Sequence, residues 1–386
     1  VTDRPDGPAT ADHLQLDPAL CRQRQQRLIA VMAERELERA LLVQPEHVQY
    51  LTGFRTPHAL LKTAVALDAD GHCTLAAPNS APDNVAADTV VTFEAQWHAT
   101  LRQEQPRESG RVLAAALDGR PPAKRLGVEF STFGPHFREA SSPATSSQTT
   151  DIEPDLWQLR RNKDPDELAM IGRAIECTEA MYRRAREIIQ PGITELEVFN
   201  QLHAAAVDVA GEPLTALGND YQANSPGGPP RPRQAGAGEL FVLDLGPAYR
   251  GYYADNCRTI SVDGQPTDDQ LKAWQAIVDT LDMVERTVRP GVSCQELFHA
   301  AQEMLDEYRP GAFFHHLGHA FGLFPHEGPH LNPNWDDTFE EGDVFTAEPG
   351  LYGPELQAGI RLEQNYRVTV DGVQRLTSHP LELAID

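Results

Sequence analysis

The sequence has only four lysines (Lys62, Lys124, Lys163, Lys272), no CxxC pair, no long apolar run and no surplus of positive charge. Arginine carries the basicity, and nothing functional follows from that. The net charge of −24 argues against nucleic acid or an anionic membrane as a partner, because both require basic patches. The five cysteines, Cys21, Cys73, Cys177, Cys257 and Cys294, are scattered and odd in number. That pattern argues against a disulfide framework or a thiolate zinc site. There is no signal-peptide h-region and no run long enough to cross a bilayer, so a soluble cytoplasmic protein is expected. A Walker loop, a GxGxxG after a strand and a GxSxG elbow are all missing, which sets aside nucleotide-binding and serine-hydrolase chemistry.

What is there suits two domains over 386 residues, with an ordinary hydrophobic fraction of 40%. Residues 1–15 are polar and expected to fray. Apolar spacing predicts a helix from Pro18 to about Arg39, then a buried strand at Ala40–Val43 and a short helix at Glu46–Phe54. Strands are expected at Thr63–Leu67, Cys73–Ala76, Val90–Phe93 and Arg125–Glu129, with helices at Gln105–Leu117 and Pro135–Glu139. The alternation reads as a small α/β domain. Residues 140–150 are low in complexity and read as a linker or a surface loop. The boundary is placed near Asp155, giving domains 1–155 and 156–386. In the second domain Asp164 caps a helix that ends at Pro191-Gly192, and Thr194 with Glu197 caps the next. Thr267 starts a third helix, and Ser293 with Glu296 caps a fourth.

The second domain repeats itself. Gly238-Glu-Leu-Phe-Val-Leu-Asp244 is echoed by Gly342-Asp-Val-Phe-Thr-Ala-Glu348, and Gly251-Tyr-Tyr-Ala-Asp255 by Gly359-Ile-Arg-Leu-Glu363. Pro191-Gly-Ile-Thr-Glu-Leu-Glu-Val-Phe199 matches Pro290-Gly-Val-Ser-Cys-Gln-Glu-Leu-Phe298. Two similar half-domains are implied. A hairpin centred on Tyr249 and Arg250 would set Asp244 directly opposite Asp255, with Cβ atoms about 5 Å apart. Two carboxylates so close repel, and either one holds a proton or a cation sits between them. Each half brings two acids to the same position, and four acids on one axis need metal ions. Between the acid pairs lie His315, His319 and His326, at spacings of four and seven beside glycines. That convergence of residue types marks a functional cluster.

The order Asp, eleven residues, Asp, then His, Glu and Glu resembles the pita-bread metallopeptidases: Xaa-Pro dipeptidase (prolidase), aminopeptidase P and methionine aminopeptidase. Leu41–Phe54 looks like the creatinase-type N-terminal domain, which points to the prolidase and aminopeptidase P branch. The resemblance covers nearly the whole chain. It implies an α/β N-terminal creatinase-like domain followed by an α+β pita-bread domain with an internal pseudo-twofold repeat. It further implies that Asp244, Asp255, His319, Glu348 and Glu363 hold two divalent ions, with Asp255 and Glu363 bridging or flanking them. His315 and His326 match the histidines that contact substrate and oxyanion, and Arg361 matches an arginine at the substrate pocket that braces the metal-site carboxylates. Dimerisation is implied on the same ground.

Four carboxylates and one imidazole suit Mn first, and also Co, Fe or Zn. Two ions about 3.5 Å apart can lower the pKa of a bridging water and supply hydroxide near neutral pH. Glu348 then shuttles the proton to the leaving nitrogen. His326 with the metal stabilises the oxyanion, a contribution on the order of 3 kcal/mol for one donor. The function implied is hydrolysis of Xaa-Pro bonds in dipeptides or at peptide N-termini. One departure stands out. The family usually carries a histidine before the first metal aspartate, and here Asn224-Ser-Pro-Gly-Gly-Pro-Pro230 holds none. Gly227 and Gly228 are expected to open space there. The alternative is a redirected enzyme acting on a small non-peptide molecule by lyase or C–N hydrolytic chemistry.

Overall fold

The computed structural model describes residues 14–137 and 148–384. The polar N-terminal stretch to residue 13, the end of the helix expected at Pro135–Glu139 and residues 140–147 lie outside them. The described chain forms two compact units, Gln15–Arg160 and residues 161 onward. They divide at the end of a helix, Glu153–Arg161, whose first turn holds the boundary expected near Asp155.

In the first unit, α1 (Pro18–Glu34) opens with the Asp17 carboxylate accepting from Ala19 N. It stops short of the expected Arg39. Glu36 turns left-handed at φ 55°, and Arg39 begins strand β1 (Arg39–Leu42), its guanidinium 2.5 Å from the Asp68 carboxylate. A buried ion pair inside the sheet thus overrides helical spacing. After β1 come α2 (Pro45–Thr52), β2 (Ala64–Asp68), β3 (Cys73–Pro78) and β4 (Thr89–Phe93). A small ribbon, β5 (Gln96–Trp97) with β6 (Thr100–Leu101), leads to α3 (Gln105–Leu117), β7 (Arg125–Val128) and β8 (Gln148–Asp151). The sheet runs β4-β3-β2-β1-β7-β8. Its strands β1, β2 and β3 are buried throughout, and Leu41, Ala66 and Leu126 pack with Leu113 of α3. Residues 148–150 are therefore neither linker nor loop. They pair in parallel with β7, Gln148 opposite Arg125, because two β-branched threonines within the low-complexity run suit a strand.

The second unit carries the site. After α4 (Glu153–Arg161), helix α5 (Pro165–Ile188) starts at a capping box of Asp164 and Glu167. Helix α6 (Glu195–Ala210) starts with Thr194 accepting from Glu197 N at 3.1 Å. Strands β9 (Asp220–Ala223), β10 (Leu240–Asp244), β11 (Ala248–Tyr249), β12 (Tyr252–Tyr253) and β13 (Cys257–Ser261) follow. The plan then recurs as α7 (Asp268–Thr287) and α8 (Cys294–Tyr308), with β14 (Gly318–Ala320) and β15 (Glu327–Leu331). After them come β16 (Val344–Ala347), β17 (Gly350–Gly353), β18 (Ala358–Arg361), β19 (Gln364–Val368) and β20 (Val373–Arg375).

The sequence repeat is a repeat of hydrogen bonds. Gly192 N donates to Ala235 O at 2.8 Å, and Gly291 N donates to Phe339 O at 2.8 Å. Glu195 N reaches Arg233 O at 3.0 Å, and Cys294 N reaches Asp337 O at 2.9 Å. Each Pro-Gly corner thus ties the start of its second helix to the loop before the acid-bearing strand. No helix among the described residues is long and apolar enough to cross a membrane.

Ser293 accepts from Glu296 N at the start of α8, 3.2 Å away. Replacing it by alanine leaves that N–H without its partner. Ser293→Ala should lower unfolding stability by about 1 kcal/mol, read as a shifted denaturant midpoint with an unchanged slope.

Candidate metal centre

Asp244 ends β10, where Phe241, Val242 and Leu243 are fully buried and fix the strand. The hairpin that follows turns at Arg250 (φ 50°) and Gly251 (φ 91°), the two positive φ values of a type I′ turn. The turn therefore sits one residue later than expected, and the register moves by two. Asp244 pairs with Cys257, not with Asp255. A shift of two keeps both aspartates on one face, so they are diagonal neighbours. Asp255 falls across from Gly246, whose missing side chain leaves the Asp255 Oδ1 atom 3.6 Å from where a Cβ would stand. The direct opposition expected of the aspartates occurs in the second half. There Ala347 pairs with Gln364 and Gly350 with Arg361, and that register carried through sets Glu348 against Glu363.

Cross-links join the two halves behind the acids. Asn256 Nδ2 donates to Glu363 O at 2.8 Å, and Asn365 Nδ2 donates back to Asp255 O. Glu363 N bonds Cys257 O at 3.0 Å. Tyr182 of α5 donates to Asn256 O and Leu243 O from below. One oxygen of each of Asp244, Asp255 and Glu363 lies within 4.8 Å of the others. His319, only 3% exposed, donates Nδ1–H to Ala320 O at 3.0 Å. A carbonyl can only accept, so the lone pair is on Nε2. That nitrogen is 3.6 Å from Asp255 Oδ2 and 3.6 Å from Glu348 Oε1. Gly318, at φ 157°, lets β14 approach β16 this closely, since a Cβ there would stand 2.0 Å from Thr346 O.

Arg361 braces this floor. Its guanidinium meets Asp220, lies 2.9 Å from Asp244 Oδ2 and donates to Tyr352 Oη at 3.2 Å. His315 is fixed by Nδ1–H to His316 O at 2.7 Å and by accepting from Tyr352 Oη at 3.0 Å. His326 stacks on His319 with ring centres 3.8 Å apart. Together these side chains line a cleft of about 400 Å³ that Pro226, Gly227 and Phe314 also border.

The site is electrostatically overloaded with acid. Burial raises Asp244, with Asp220 adding to the effect and Arg361 opposing it. Burial lifts Asp255 well above the carboxylate range, helped by Asp244 and Glu348. Glu363 is raised for the same reasons, by burial and then by Asp255, Glu348 and Asp244. Glu348 is pushed by burial up to about 8. Glu363 Oε2 is buried without a hydrogen-bond partner. The histidines are driven the other way: burial takes His315 to about 3 and His319 well below its ordinary value. The neutral His319 imidazole with its free Nε2 lone pair, beside carboxylates that repel one another, fits divalent cations.

The structure thus brings together all the residues singled out in the sequence: Asp244, Asp255, His315, His319, His326, Glu348, Arg361 and Glu363. It adds Asp220, His316 and Tyr352. Asp220 and Tyr352 had no motif around them. His316 adjoins His315 but falls outside the four-and-seven spacing of His315, His319 and His326. The loop that lacks a histidine also differs from expectation. Gly227 and Gly228 do not open space; they let the loop close down. Gly228 N donates to Asp220 Oδ1 at 2.7 Å, and a Cβ on Gly227, at φ 152°, would stand 2.4 Å from Asp220 Oδ2. Asp220 fills that part of the wall.

Residues 169–370 match the model of metallopeptidase family M24, and residues 24–161 match that of the creatinase/prolidase N-terminal domain. An Xaa-Pro dipeptidase from Pyrococcus furiosus is 31% identical over 265 residues, covering 67% of this chain and 75% of that protein. The solved prolidase of Pyrococcus furiosus superposes with a TM-score of 0.75 at 25% identity, over 91% of this chain and 99% of that one. A dipeptidase from Mycobacterium ulcerans gives 0.77 at 25% identity, over 96% and 99%. The fold is therefore a creatinase-type N-terminal domain with a pita-bread C-terminal domain.

Glu348 is raised from 4.5 to about 8 in the folded, metal-free chain. Its protonated form therefore adds stability that is complete below 4.5 and lost as pH rises through about 8. Melting of metal-free protein should fall over that window, less steeply in Glu348→Gln. Added divalent metal should reverse the fall. A pH profile identical in the variant would contradict this assignment.

Proposed function

This chain belongs to metallopeptidase family M24, and on that premise we propose that it hydrolyses Xaa-Pro bonds in dipeptides or at peptide N-termini with two divalent metal ions. The observation that carries the reading is the meeting of four carboxylates and the His319 lone pair at one end of a cleft. Asp244, Asp255, His319, Glu348 and Glu363 would hold the ions. When bound, the ions supply Lewis acidity and lower the pKa of a water between them. By ligand type, one imidazole among carboxylates accommodates manganese, with cobalt, zinc or iron as close competitors.

The chain's own residues do the rest. Glu348 borders the cleft beside His316 and His319, where its carboxylate can pass a proton to the leaving nitrogen. Partial desolvation in the cleft, and then His330, lower the His326 pKa, so its neutral ring N–H can donate to the carbonyl oxygen as charge develops, worth on the order of 3 kcal/mol. His315 is held in one orientation by His316 O and Tyr352 at the substrate side of the cleft. Arg361 fixes Asp220, Asp244 and Tyr352 in place while substrate binds. Phe314 is 67% exposed beside Tyr352, ring centres 4.8 Å apart, and offers an apolar face to a prolyl ring. Homodimerisation belongs to this reading through the family resemblance. A second reading, carried by Asp220 in the wall, is that the same metals act on a small non-peptide molecule by lyase or C–N hydrolytic chemistry.

The test is turnover of Xaa-Pro dipeptides and a Xaa-Pro-Yaa tripeptide by metal-free protein reloaded with Mn, Co, Zn or Fe. Metal-dependent cleavage is expected, reduced by at least about a thousandfold in Asp255→Ala, comparable to losing a major electrostatic element. Two bound metals with no cleavage of either peptide would remove the peptidase reading and leave the second.

A further inference from the structure

Within the cleft, the His316 imidazole stands outside the five-ligand arrangement. His316 Nδ1 is buried and has no hydrogen-bond partner. It lies 3.3 Å from Glu348 Oε1, yet without the alignment of a hydrogen bond. His319 Nε2 stands 3.6 Å from the same oxygen and 3.6 Å from Asp255 Oδ2. These separations are longer than the roughly 2.7–3.2 Å of a hydrogen bond. They match another relation: two donors each about 2.1 Å from one ion at a tetrahedral angle lie about 3.4 Å apart. His316, His319 and His326 each offer a donor atom within 4.8 Å of the others, and so do His315, His316 and Glu348. His316 is the member common to both groups.

Its place is built by the backbone. His316 O accepts from His315 Nδ1 at 2.7 Å. On its other side, Leu317 N is bound to Leu331 O at 2.9 Å. Leu317 O accepts from Glu348 N at 2.8 Å, so the chain positions of His316 and Glu348 are set against each other directly.

We propose that His316 Nδ1 is a sixth protein donor, joining His319 and Glu348 on one of the two metal ions. The inference rests on the reading of the carboxylate cluster as a metal centre and extends it. A second imidazole changes which ion the site prefers. Imidazole suits zinc, iron and nickel, whereas manganese favours carboxylate and water oxygens. The site in this chain therefore selects a nitrogen-seeking borderline ion, zinc, cobalt or iron, over manganese.

The test is metal binding, independent of turnover. Purified full-length protein is stripped and titrated with Zn²⁺ or Mn²⁺ against a chromophoric chelator, and with Co²⁺ while its visible absorption is recorded. Wild type should bind two ions. His316→Ala should bind Zn²⁺ at least about tenfold more weakly at one site, the scale seen even for outer partners of a ligand, with Mn²⁺ changed much less. The visible Co²⁺ bands should weaken as a nitrogen donor is lost. His316→Gln, which keeps volume but not the ring nitrogen, should behave like the alanine variant. Unaltered Zn²⁺ affinity and an unaltered Co²⁺ spectrum in both variants would overturn the role of His316 and leave the metallopeptidase reading standing. Failure of wild type to bind any of the three ions would overturn both.

Discussion

Asp244, Asp255, Glu348 and Glu363 repel one another, and much of the second unit exists to hold them together in spite of it. Two unit charges within 4.8 Å at an effective dielectric near 20 oppose each other by about 3–4 kcal/mol. A cross-linking hydrogen bond such as Asn256 to Glu363 O returns about 1 kcal/mol. The scaffold alone does not win that contest with all four acids ionised. Protons or cations must enter, and the raised proton affinities of Asp255, Glu348 and Glu363 express the same imbalance. Arg361, which faces Asp220 and Asp244, offsets part of it.

The internal repeat explains how the chain assembles so unfavourable a cluster. Each half contributes a helix pair, a capped turn and a hairpin, and each hairpin delivers two acids from elements that are stable for other reasons. Buried β10 and β16 anchor the first acid of each pair. Reciprocal amides of Asn256 and Asn365 then lock the second acids across the junction. The two halves differ in detail. Diagonal aspartates face directly opposed glutamates, and the longer glutamate side chains reach the same centre from a different register.

Around that floor the walls set the chemistry. Asp220 and the loop at Gly227 form one side, four histidines and Tyr352 the other. Burial keeps His315, His316 and His319 neutral, so they present lone pairs and N–H groups instead of charge. That condition suits both metal ligation and donation to a developing oxyanion.

The sequence by itself determined the repeat, the capped helices and the identity of the acids, because these are written in local patterns: Pro-Gly corners, Thr194 and Ser293 before their helices, and apolar runs ending in Asp244 and Glu348. It also carried His315, His319 and His326 through their spacing. The tertiary structure decided what spacing does not encode. The hairpin register depended on which residues took positive φ, and Gly251 drew the turn one residue onward. Arg39 left its helical pattern for a partner, Asp68, twenty-nine positions away. Asp220 and Tyr352 reach the site only because distant strands converge there. His316 sits in an irregular segment, where neither a helical nor a strand period says which way a side chain points. Local propensity is a short-range quantity, whereas a site is a meeting of long-range neighbours, and only the folded chain fixes that meeting.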